Sequence, residues 1–143
     1  MASLERAIEL AVAAHKGQTD KAGHSYILHP LRVMFAVEDE DARTVAVLHD
    51  TIEDTNVTVE RLRDEGFSER IIDAVLALTK NQDEDYVDFV KRAAANPIAR
   101  RVKIADIEDN LNLFRLESLE QKDLDRIHKY HRARKVLLAS TDS

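Results

Sequence analysis

An all-α, single-domain fold is what this sequence predicts, and three observations predict it. Apolar residues recur at helical spacing along most of the chain. Only three Gly and two Pro occur, against 34% charged and 44% hydrophobic residues, which suits helices and argues against disorder or a many-turned β fold. The length of 143 residues suits one domain with a real core and is short for two, so residues 1–143 are taken as a single compact multi-helix unit.

The elements follow in order. Leu4, Ala7, Ile8, Ala11 and Val12 set a first helix from about Ser3 to Lys16, and His15 continues its apolar stripe as a packed, hydrogen-bonded residue. Gly17 stops it, and the polar, glycine-bearing stretch to Ser25 reads as a loop. Pro30 suits the first turn of the next helix and places His29 near its N-cap. The acidic turn Glu38-Asp39-Glu40-Asp41 then opens a central helix at its positive end.

Thr58 and Ser68 are the expected N-caps of two short helices carrying Val59/Leu62 and Ile71/Ile72/Val75/Leu76, with Gly66 as the stop between them. Tyr86, Phe89 and Val90 form the apolar side of another helix, which Asn96-Pro97 breaks. Ser118-Leu119-Glu120-Gln121 has the form of a capping box for a last helix, packed through Leu124, Ile127, Tyr130 or His131, and Val136 or Leu137, with His128 and His131 as ordinary surface and packing residues.

Composition also limits function. A net charge of -6 gives no chain-wide basic footprint, so a nucleic-acid partner is not expected. Without cysteine, disulfides and thiolate metal sites are excluded, and a metal would need imidazole and carboxylate. No apolar run approaches the roughly 18 residues of a membrane span, and no secretory leader is recognisable, so a soluble cytoplasmic protein is expected.

The chemistry concentrates in Val45-Ala46-Val47-Leu48-His49-Asp50-Thr51-Ile52-Glu53-Asp54. On a continuous helix His49 would lie under Glu53 and Asp50 under Asp54, a histidine and three acids at the end of an apolar segment. Such a cluster is either a solvated helix end or a cation site, since burying it unpaired would cost several kcal/mol. Lys103, Asp106 and Asn110 form a second polar stripe, which alone reads as solvated and beside the first supplies a further ligand.

His29, His49, Asp50 and Asp106 are thus the expected metal ligands, from three helices. Nitrogen and oxygen donors without sulfur suit Mn²⁺ first, then Fe²⁺ or Zn²⁺. Such an ion activates water and polarises a phosphoryl oxygen, which makes phosphoester or anhydride hydrolysis the natural reaction.

The ordered set His29-Pro30, His49-Asp50-x-x-Glu53-Asp54 and Lys103-x-x-Asp106-x-x-x-Asn110 resembles the HD-domain phosphohydrolases, most closely the hydrolase domain of RelA/SpoT homologues and the free-standing small alarmone hydrolases. The resemblance implies an all-helical, Mn²⁺-dependent enzyme of the stringent response that removes the 3′-pyrophosphate of the alarmone (p)ppGpp, giving GDP or GTP. It implies Glu53 and Asp54 as the acidic pair acting on water, Lys21 and Tyr26 in a nucleotide loop, Asn110 near the ribose, and Lys103 and Arg126 as cations for the phosphates.

Two stretches depart from that family. Asp20 stands where a stacking Arg is usual, and Asp cannot stack on a purine as an Arg plane can. Asp106-Ile107-Glu108-Asp109-Asn110-Leu111 replaces the common Asp-Arg-Leu-His-Asn-Met. Hydrolysis of another nucleotide, for example NADPH, is therefore a second expectation, and a non-enzymatic binding module a third.

Overall fold

Helix α3 (Glu40–Leu48) is the hub of the computed structural model, which describes residues 2–139. Its Ala42, Val45, Ala46, Val47 and Leu48 are buried on every side, and the small alanines let neighbours approach closely. Around it pack α1 (Leu4–His15), α2 (Leu28–Phe35), α6 (Glu69–Ala77) and α8 (Pro97–Asn110). A smaller apolar cluster of Val90, Ala94, Ile107, Ala133 and Leu137 joins α8 to α7 (Tyr86–Ala94) and α9 (Gln121–Ala139). Among the described residues no strand forms, so the all-α expectation holds.

Most helix starts lie where side-chain oxygens can take up orphan amide protons. Ser3, Asp39, Thr58 and Ser68 each accept from the backbone N–H three residues on, and Asn96 accepts from Ile98 and Ala99 with Pro97 opening α8. Each such cap stabilises by about 1 kcal/mol. Gly17 and Gly66, with φ of +87 and +94, end α1 and close the turn after α5 (Val59–Asp64) in the left-handed region that favours glycine.

Two sequence expectations need correction. The run from Val45 to Asp54 is not one helix: α3 stops at Leu48, and a single turn, α4 (Thr51–Asp54), restarts after Asp50. The break has a local cause. His49 Nδ1 donates to Ala46 O at 2.6 Å and Thr51 Oγ1 donates to Leu48 O at 2.7 Å, so side chains take carbonyls that a continuing helix would use. Regular stacking of His49 under Glu53 is therefore lost, while the Asp54 N–H still donates to Asp50 O at 3.0 Å within the single turn of α4.

The last helix also begins later than Ser118 requires. It starts at Gln121, and Asp123 accepts from the Glu120 N–H at 2.8 Å, so the reciprocal bond joins Glu120 and Asp123 rather than Ser118 and Gln121. Leu124 consequently turns outward at 42% exposure, while Ala133 and Leu137 are buried. His128 and His131 are exposed, as expected of surface residues.

The connection from α6 to α7 is closed by Arg92. Its guanidinium donates to Leu76 O at 2.8 Å, to Thr79 O at 2.7 Å and to both Glu84 oxygens. The hydrogen bond from Arg92, with one from the Asn81 N–H, holds Glu84 at about 2, below its ordinary 4.5. The resulting stability is present above pH 4.5 and is lost as pH falls through about 2. Glu84→Gln should unfold at lower urea than the parent at pH 7, and the gap should close near pH 2; parallel curves over that range would reject the clamp.

Candidate metal centre

Three segments meet at one point beneath a cavity: the first turn of α2, the break between α3 and α4, and the last two turns of α8. His29 is the second residue of α2, placed by the turn in which Leu28 N–H donates to Ser25 O and His29 N–H to Tyr26 O. Asp50, at φ -102 and ψ 0, occupies the bridge region where site residues are often found. Asp106 projects from α8 one turn before its end.

The potential ligand atoms of His29, His49 and Asp50 all lie within 4.8 Å of one another. Asp106 Oδ1 joins them, 2.8 Å from His29 Nε2 and 3.4 Å from His49 Nε2, and Asp50 Oδ2 lies 3.1 Å from His49 Nε2. All four expected ligands are thus brought together.

The donor set fits a cation. His49 is buried, and with its Nδ1 proton given to Ala46 O, its Nε2 is a buried nitrogen with no hydrogen-bond partner of good geometry. Burial alone would lower both imidazoles, yet carboxylates raise them: Asp106 and Asp109 act on His29, Asp50 and Asp106 on His49. Burial would likewise raise Asp106, but Lys103 and the two histidines hold it well below the usual carboxylate range. Positive charge is favoured at this point, and imidazole with carboxylate is the set a hard or borderline divalent ion takes.

Supporting contacts surround these four. Lys103, buried, donates to Asp106 Oδ2 at 3.0 Å, and Asn110 Nδ2 donates to Asp106 Oδ1 at 3.2 Å. The Tyr26 hydroxyl donates to Asp50 Oδ2, and burial together with the Asp50 charge pushes that phenol up. Lys103, Asn110 and Tyr26, read from the sequence as substrate groups, therefore hold the carboxylates as well. His15 is buried and faces Gln18 Oε1 through Nδ1 at 2.9 Å, while Gln18 Nε2 donates to Asp54 O at 3.0 Å, tying the loop to α4.

The cavity above holds about 580 Å³. Lys21, Tyr26, His29, Asp50, Glu53, Lys103, Asp106, Asn110 and Arg126 of the expected residues line it. His49 and Asp54 are not part of its lining. Glu53 Oε1 accepts from the Lys80 N–H at 2.8 Å, which fixes the acid at the rim. Asp54 is raised to about 6 by partial burial and by the charges of Asp50 and Glu53.

Sequence reasoning passed over several lining residues. Lys80 and Tyr86 sit in a stretch with no chemical signature, and Lys129 lies in a helix that reads as an ordinary charged surface. Lys129 Nζ sits 4.1 Å from the Tyr86 ring centre, and Lys103 Nζ sits 4.8 Å from that of Phe89, so α7 supplies an aromatic wall for cations.

No family model matches the chain. It is 34% identical over 120 residues to the guanosine-3′,5′-bis(diphosphate) 3′-pyrophosphohydrolase of Aquifex aeolicus, covering 76% of this chain and 17% of that protein. With the protein of the same name from Borreliella burgdorferi it is 33% identical over 142 residues, covering 89% and 21%. The chain is a homologue of the SpoT/RelA proteins.

This SpoT/RelA homologue spans about a fifth of the length of those two relatives, at 17% and 21%. A solved structure of a metazoan ortholog of SpoT, described as hydrolysing ppGpp and acting in starvation responses, superimposes with a TM-score of 0.78 at 20% identity, over 100% of this chain and 87% of that one. That likeness gives the helical fold. Among the described residues no helix is long and apolar enough to cross a membrane.

Because binding to the folded state alone stabilises it, a divalent ion at about 100 times its Kd should add about 2.7 kcal/mol. Thermal unfolding of the EDTA-treated protein with Mn²⁺ titrated back should show a rise that His49→Ala abolishes. Equal rises in parent and variant would remove His49 from the ligand set.

Proposed function

We propose that this homologue is a Mn²⁺-dependent hydrolase of the small alarmone hydrolase type, which removes the 3′-pyrophosphate of (p)ppGpp to give GDP or GTP. The observation that supports the reading is the joining of the His29, His49 and Asp50 group, with Asp106 against both imidazoles, to a cavity ringed by cations, in a chain of net charge -6. The names of the Aquifex and Borreliella relatives supply the substrate.

His29, His49, Asp50 and Asp106 would hold the ion, which supplies a water of lowered pKa and a Lewis acid for the phosphoryl oxygen. Glu53, at the cavity rim, orients the attacking water and takes up its proton, and Asp54 behind it adds negative charge without touching the cavity. Water adds at the phosphorus bound to the ribose 3′ oxygen and the P–O3′ bond breaks; the 3′ oxygen leaves with the bonding pair, takes up a proton to become the 3′-hydroxyl of GDP or GTP, and the pyrophosphate is released carrying the oxygen of the water. Fe²⁺ or Zn²⁺ could occupy the same donors.

Lys21, Lys80, Arg126 and Lys129 face the cavity as counter-charges for the phosphates, and Asn110 faces it nearer the ligands. Burial lowers Lys129, and its neighbours Lys103, Lys80 and Arg126 lower it further. Repulsion of that kind is relieved by an anion. A tetra-anionic nucleotide meets that need.

One observation favours a second reading, in which another nucleotide such as NADPH is the better substrate. Asp20 Oδ1 accepts from the Ala22 and His24 N–H groups, both at 2.9 Å, so it closes its own loop and offers no plane for a base. A panel of ppGpp, pppGpp and NADPH with added Mn²⁺ separates the readings by kcat/KM and by product.

Asp50→Ala should lose both bound metal and hydrolysis. Glu53→Gln should keep the metal and lose turnover, because its role belongs to the transition state. Full activity in Asp50→Ala, measured as pyrophosphate release, would reject the assignment. Lys129→Ala should raise KM about tenfold with kcat little changed, as expected for one charge-assisted contact of about 1.5 kcal/mol. An unchanged KM would remove Lys129 from the phosphate site.

A further inference from the structure

The two imidazoles of the centre are oriented by different means. His49 Nδ1 donates to the Ala46 carbonyl, a backbone contact made by the end of α3. His29 Nδ1 instead faces a carboxylate, Asp109 Oδ2, at 2.6 Å. That carboxylate is gripped from the other side: Arg32 Nε donates to Asp109 Oδ1 at 2.7 Å and Arg32 Nη2 to Asp109 Oδ2 at 3.1 Å. Asp109 is only 12% exposed.

The arrangement follows from helical spacing. Arg32 comes three residues after His29 on α2, and Asp109 three residues after Asp106 on α8, so each pair shares a face of its helix. Where the two helices pack, the four side chains form a closed square. Asp106 meets His29 Nε2 on the cavity side, and Asp109 meets Nδ1 on the far side. His29 is thereby bracketed at both nitrogens.

We propose that Asp109, held by Arg32, is a positioning residue of the metal centre: it keeps the His29 proton on Nδ1 and turns the Nε2 lone pair toward the ion. A carboxylate behind a ligating imidazole sets its tautomer, fixes its ring plane and makes the ligating nitrogen a stronger donor. The bidentate grip of Arg32 fixes the carboxylate in turn, which a Lys point charge would not do. The inference rests on the metal reading above and adds Asp109 and Arg32 to it, two residues outside the cavity wall.

A merely structural staple between α2 and α8 would make a different prediction. It would change the stability of the metal-free protein and leave metal affinity alone. Calorimetric titration of Mn²⁺ into the full chain, at one pH and without nucleotide, should therefore be run beside urea unfolding in EDTA. Asp109→Ala should weaken Mn²⁺ binding about 10- to 100-fold. Asp109→Asn, which keeps the shape and an accepting oxygen, should lie between it and the parent, and Arg32→Lys should weaken binding less than Asp109→Ala.

Should Asp109→Ala fold poorly, Asp109→Asn and the parent still decide the matter. In the parent loaded with diamagnetic Zn²⁺, the imidazole nitrogen spectrum should show His29 protonated at Nδ1 and ligated at Nε2. Metal at Nδ1, or Mn²⁺ affinity within twofold of the parent in Asp109→Asn and Arg32→Lys alike, overturns the proposal while leaving the metal centre standing. A parent that binds no Mn²⁺ overturns both.

Discussion

Positive charge is favoured between Asp50 and Asp106, and much of the architecture is arranged to bring those two carboxylates and two imidazoles together. Asp106 is buried, and its Oδ2 is already neutralised by Lys103, leaving Oδ1 to the histidines. The ligands come from α2, the α3–α4 break and α8, whose mutual placement depends on the buried hub α3. Packing of Val45, Val47 and Leu48 thus has a chemical consequence: it fixes the end of α3 among its neighbours and so the place from which His49 projects.

The cations divide into two groups with different tasks. Lys103 is buried, and burial alone would lower it, but Asp106, Tyr86 and Asp50 hold it above its ordinary value. Removing its carboxylate would leave an unpaired charge inside the protein, a loss of about 3–5 kcal/mol, so Lys103 belongs to the scaffold of the centre first. Lys80 and Lys129 line the cavity on the opposite terms. Their charges repel one another, and the aromatic ring of Tyr86 under Lys129 offsets only part of that.

Much of the fold was legible in the sequence because its signals are local. The caps at Asp39, Thr58 and Ser68, and the glycine stops at Gly17 and Gly66, act within one turn of themselves. Of the four proposed ligands, His49 and Asp50 stood out because polar residues there conflict with the apolar run before them, whereas Asp106 gained meaning only beside them. The break at His49 was not legible, since it arises from a side chain competing for its own helix's carbonyl, which periodicity cannot express. Nor was Lys80, which reaches the cavity only because the Arg92 clamp folds the α6–α7 connection against α4. Asp109 reads in sequence as one acid among several on α8; only the facing Arg32 gives it a place.

The loop from Gly17 to Ser25 and the tyrosine that follows it couple the metal centre to the wall of the cavity. Tyr26 hydrogen-bonds to Asp50, Gln18 reaches the Asp54 carbonyl, and His15 faces Gln18 from beneath. Asp20 turns inward to the amides of Ala22 and His24, while Thr19, Lys21 and Ala22 form cavity wall. A change in this loop that admits a different base must therefore preserve a hydrogen bond to a metal ligand. Because Asp20 satisfies the loop's own amides, the shape that presents Lys21 and positions Tyr26 is fixed independently of any base, so under the proposed function a shift in nucleotide preference would leave the ion's ligands in place.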